Sequence, residues 1–63
     1  MDRFTQAVQE QFSFTPAEAE RIYRVYVAEK VLLVDKHGGG FSLSHGAFWD
    51  KEVMQRALSS LEV

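Results

Sequence analysis

The chain has 63 residues, no cysteine, and a net charge of −2 from nine acidic and seven basic side chains. A domain of this size buries only about 60% of the surface its unfolded chain exposes, and without cysteine it can use neither a disulfide nor a thiolate metal site to compensate. The mixed charges, 46% hydrophobic content and 13% aromatic content are those of a folded chain and exclude a disordered one. The lack of a basic tract argues against general affinity for nucleic acid phosphates.

From Asp2 to Phe12, apolar residues at Phe4, Ala7, Val8 and Phe12 fall on one stripe of a helix, with Asp2 as its cap. A second helix start is written into Thr15-Pro16-Ala17-Glu18. Thr15 is the cap, Pro16 suits a first position that needs no amide, and Glu18 closes a capping box. This helix is expected to run to Glu29 or Lys30. Its apolar arc is broad: Ala19, Ile22, Tyr23 and Tyr26 share a centre line, with Val25 and Val27 on opposite flanks. One flank is free either to meet neighbouring elements or to meet a second subunit.

Val31-Leu32-Leu33-Val34 reads as a strand and Asp35 to Gly40 as a break. Phe41-Ser42-Leu43-Ser44 alternates as a second strand, which makes the pair a hairpin. The first strand is apolar on both faces, so it calls for two covers, and a two-stranded hairpin is marginal by itself. Asp50 caps a last helix with Val53, Met54, Ala57, Leu58 and Leu61 on one stripe. The expected fold is a single α+β domain over residues 1–63: two N-terminal helices, a two-stranded antiparallel β-hairpin and a C-terminal helix. Pairing of two copies through Val25, Val27, Leu32 and Val34 is the simplest cover for its surplus apolar surface.

No catalytic residue is assigned. Ser44 and His45 are adjacent, and neighbours on a strand point to opposite faces. His37 and His45 lack a third ligand and make a poor zinc site, so no metal or other cofactor is expected. Gly38-Gly39-Gly40 joins two strands and is not a phosphate loop feeding a helix, although its amides beside Lys36 and His37, with Arg21 and Arg24, form a candidate anion site. Tyr26, Trp49 and His45 complete the candidate binding residues, because aromatic anchors dominate binding hot spots. No stretch approaches the ~20 apolar residues of a membrane span, and Met1-Asp2-Arg3-Phe4 leads into no apolar run, so a cytoplasmic protein is expected.

Thr15 through Leu43 resembles the last helix and wing of a winged-helix domain. That resemblance implies a DNA-binding regulator, but Glu18 and Glu20 stand where a recognition helix would meet phosphates. Phe14-Thr15-Pro16, Ala19-Glu20, Ile22, Tyr26, Lys30, Asp35 and His45-Gly46-Ala47-Phe48 resemble short accessory proteins of tailed phages and prophages. That likeness implies a binding protein, made in the bacterial cytoplasm, that disables a host component. Two partners are expected besides a second copy: a host protein whose surface is occupied, or a nucleotide-like small molecule sequestered by an oligomer.

Overall fold

A computed structural model describes residues 3–35 and 37–61, with the side chain of Leu61 left aside. It is an α+β arrangement: α1 (Arg3–Phe12), α2 (Pro16–Ala28), β1 (Leu32–Val34), β2 (Phe41–Leu43), a 3₁₀ turn (Gly46–Phe48) and α3 (Lys51–Leu61). The expected cap at Asp2 lies outside the described residues.

Local chemistry sets the helix ends. At the start of α2 the Glu18 amide donates to Thr15 Oγ1 at 3.2 Å, and the Thr15 amide donates to Glu18 Oε1 at 3.0 Å. Two orphan amides are thus satisfied reciprocally. Thr15→Ala is expected to lower stability by about 1 kcal/mol, read from a urea unfolding midpoint; an unchanged midpoint would show that the cap is redundant.

The other end of α2 falls at Ala28, one residue short of Glu29, the nearer of the two ends expected from the sequence. Lys30 adopts a left-handed φ of 60°. Its amide donates to the Val27 carbonyl at 3.0 Å, while that of Val31 reaches back to the Tyr26 carbonyl at 2.9 Å. This is a Schellman closure, with buried Val31 and Tyr26 supplying its apolar contact. Lysine sits where glycine is usual, and the left-handed form costs a residue with a Cβ roughly 1–2 kcal/mol. Lys30→Gly is therefore expected to raise the unfolding midpoint, and a lower midpoint would contradict the closure.

β1 and β2 pair antiparallel with Leu32 opposite Leu43, Leu33 opposite Ser42 and Val34 opposite Phe41. Alternation turns Leu32, Val34, Phe41 and Leu43 toward the helices and Leu33 and Ser42 outward. The strand is therefore less two-faced than its sequence suggests. Val31 precedes it and is spent on the helix closure, which leaves Leu33, 62% exposed, as the apolar residue on the outer face. Leu32, expected at a contact between copies, is 4% exposed and belongs to the core.

Phe4, Val8, Phe14, Ala19, Ile22, Tyr26, Val31, Leu32 and Met54 form that core. α1 and α3 each lay their apolar stripe on α2, and Met54 of α3 is fully buried. Phe4 is the hub: the rings of Tyr23, Tyr26, Phe41 and Trp49 lie 5.4 to 6.1 Å from its own. Such tilted and edge-to-face pairs add to the area each ring buries. Asp50 starts α3 as its sequence suggests, accepting the Glu52 amide at 3.0 Å.

The accessible surface is 4429 Å², against about 4,100 Å² expected for a monomer of this mass. Among the described residues the exposed large hydrophobics are Val27, at 42%, and Leu33. Few large apolar side chains are thus left open, although the total surface is slightly above that of an average monomer of this mass.

Candidate binding surface

The residues singled out by sequence fall in separate places. Arg21 and Arg24 are exposed on α2, where Arg24 reaches Glu20 one turn away at 3.7 Å, both side chains well solvated. Lys36 lies outside the described residues. His37 is at the hairpin tip and His45 is exposed at the hairpin's open end, just past Ser44, whose amide donates to the Val31 carbonyl at 2.8 Å. The hairpin thus holds the two histidines apart at its opposite ends.

At the tip, the glycine turn already contains an anion. The His37 amide donates to Asp35 Oδ1 at 2.9 Å. Hydrogen bonds from the amides of His37 and then Gly38 hold the Asp35 carboxyl below the usual carboxylate range, outweighing a small opposing effect of burial. Of the Gly38, Gly39 and Gly40 amides expected to hold an anion, that of Gly38 is engaged by the chain's own carboxylate. Gly39 has φ 72°, and the Gly39 amide closes the turn on the Asp35 carbonyl at 2.9 Å. A Cβ on Gly38 would come within 2.8 Å of Asp35 Oδ2. Gly38→Ala is expected to displace the carboxylate and return its titration toward the ordinary value; an NMR titration of Asp35 that does not move would contradict this arrangement.

The two aromatic candidates differ from free anchors. Trp49 is half-buried against Phe4, Phe12 and Phe41, and its Nε1 donates to Gln11 Oε1 at 3.3 Å. Tyr26 is 3% exposed, and its hydroxyl donates to the Phe48 carbonyl at 2.8 Å. Burial, with a smaller contribution from the negative charge of Asp50, pushes the Tyr26 phenol up to about 12. Both side chains are engaged within the chain.

Tyr26 lines a cleft between α2 and α3. Val25, Tyr26, Val31, Phe48, Val53 and Ala57 make an apolar depression of about 420 Å³, with Glu29 as the charged residue on its lining. A second depression, lined by Arg24, Val25, Ala28, Glu29 and Ser60, adjoins it at Val25 and Glu29, and the pair is called the groove. Val25 is the one expected self-contact residue in this groove. Val27 lies on the opposite flank of α2, about 200° away around the helix, and Val34 is half-buried on the inner face of the hairpin.

No known protein family, curated protein or solved structure matches the chain. Its surface must therefore be read from its own chemistry. Sequence reasoning missed Glu29, Phe48, Val53 and Ala57 as neighbours. Val53 and Ala57 were visible as a helix stripe, but which side of it stays open depends on where α3 lands on α2. No helix among the described residues is long and apolar enough to cross a membrane.

Proposed function

We propose that this chain is a non-enzymatic accessory protein of phage type that binds a host protein in the bacterial cytoplasm and disables it by occupying its surface. The observation that carries the reading is the α2–α3 groove: half-buried Val25, Phe48, Val53 and Ala57 leave apolar surface open in a depression of about 420 Å³. A concave apolar surface with few polar groups is the usual form of a binding site. The likeness of Phe14-Thr15-Pro16 and His45-Gly46-Ala47-Phe48 to phage accessory proteins supports the setting.

A photo-crosslinking residue placed at position 57 and, separately, at position 33 tests the reading in bacterial cells. The expected result is one defined host-protein adduct from position 57. Absence of any host adduct at both positions would remove it.

A second reading, self-association, is favoured by the exposure of Val27 and Leu33. It predicts twice the 7.2 kDa chain mass by light scattering at micromolar concentration, with loss of the dimer in Leu33→Asp. A mass of one chain would end it. The nucleotide-sequestering reading loses its best anchor at the glycine turn, where Asp35 holds two of the amides.

A further inference from the structure

We propose that the occupant of the α2–α3 groove is an amphipathic helix of the partner protein that carries a Lys or Arg beside its apolar stripe. This rests on the reading of the chain as a binding protein and names the chemistry of what it binds.

Shape is the first reason. Val53, Ala57 and Ser60 follow one another along a single face of α3, spanning about 10 Å at the helical rise of 1.5 Å per residue. That is the length over which a docked helix presents anchors at i, i+3 or i+4, and i+7. Ala28, Ala57 and Ser60 are small, which lets a helix backbone approach the groove closely.

Charge is the second reason. Glu29 is exposed, lines both depressions and makes no ion pair among the described residues, whereas Arg24, which lines the second depression beside it, has Glu20 at 3.7 Å as a solvated partner. Asp50 adds negative potential at the Tyr26 end of the groove. A cation flanking the apolar stripe of the partner meets this acidic rim, and a carboxylate there is repelled.

The supply of helices is the third reason, and it favours a partner's helix over a second copy as the occupant. Phe4 and Val8 of α1, Ile22 and Tyr26 of α2, and Met54 of α3 all face the chain's own core. Among the described residues the deepest apolar side chains of each helix are thus spent within the chain, and what α2 and α3 leave open is the groove itself and Val27.

The test is a displayed library of helical peptides with apolar residues fixed at i, i+3, i+4 and i+7 and randomised flanks, selected on the intact chain. Enriched peptides are then measured by fluorescence polarisation. The expected result is enrichment of Lys or Arg at one flank, binding about tenfold weaker to Glu29→Lys, and unchanged binding to Leu33→Asp. Glu29→Lys keeps the fold, since the residue is exposed and a cation suits a helix C-terminus. Ala57→Arg, which fills the groove, is expected to abolish binding.

No enrichment, enrichment without a basic flank, or binding indifferent to Glu29→Lys would overturn the proposal. Peptides that lose affinity only in Leu33→Asp would overturn it too, while leaving the chain a binding protein. The absence of host adducts at positions 57 and 33 is the separate result that removes that broader reading.

Discussion

Phe4→Ala is expected to leave the chain unfolded in water at 25 °C. The Phe4 side chain is 1% exposed and touches four aromatic rings contributed by α2, β2 and the segment before α3. Removing a buried phenylalanine costs about 3–5 kcal/mol, and the core of a domain this small rarely supplies more than about 3–5 kcal/mol in total. The loss thus matches or exceeds the stability available, and the folded form ceases to be the dominant one. Near-UV circular dichroism of the variant should lose its aromatic signal, with Trp49 fluorescence shifting toward that of a solvated indole. A cooperative urea transition with the wild-type midpoint would contradict the placing of Phe4 at the hub.

Stability is also expected to fall as pH rises from 10 to 12, and Tyr26 is the reason. The folded chain keeps the Tyr26 proton up to about 12, because burial and then Asp50 disfavour the phenolate, whereas an unfolded tyrosine releases it near 10. The unfolded state therefore loses its proton first. The contribution is whole below pH 10 and disappears as pH climbs through the folded value. The gap corresponds to at most about 3 kcal/mol, reduced by solvent screening at the half-open groove. Tyr26→Phe should remove this part of the alkaline decline. At neutral pH the same variant leaves the Phe48 carbonyl without its 2.8 Å donor, which costs about 1–3 kcal/mol if water does not replace it. Urea midpoints at pH 8 and pH 11 for both chains give the answer, and an identical alkaline decline in Tyr26→Phe would contradict it.

Local chemistry was legible in the sequence wherever it is short-range. Thr15, Pro16 and Glu18 specify the start of α2 because all their partners lie within three residues. The alternation of Phe41, Ser42 and Leu43 gave the inward face of β2 for the same kind of reason. Other features escaped where the outcome depends on tertiary geometry. A lysine in a left-handed conformation at residue 30 carries no sequence signal, so Val31 read as a strand residue although it belongs to the helix closure.

The 3₁₀ turn at Gly46–Phe48 went unseen, and with it the Phe48 carbonyl that meets Tyr26 from 22 residues away. That contact helps to form the groove. The candidate site was accordingly legible only in part: Tyr26 and Val25 were singled out, but the residues that complete the surface around them come from elements whose docking no local pattern encodes. The hairpin tip shows the reverse case. Its glycines and flanking charges suggested an anion site, and the anion turned out to be the neighbouring Asp35.

The measurement that bears most directly on the groove as the working surface is methyl NMR of the chain titrated with the host protein recovered by crosslinking. Shifts at Val25, Val53 and Ala57, with Val27 and Leu33 unmoved, are the predicted result. Movement of Val27 and Leu33 while the groove methyls stay fixed would contradict it.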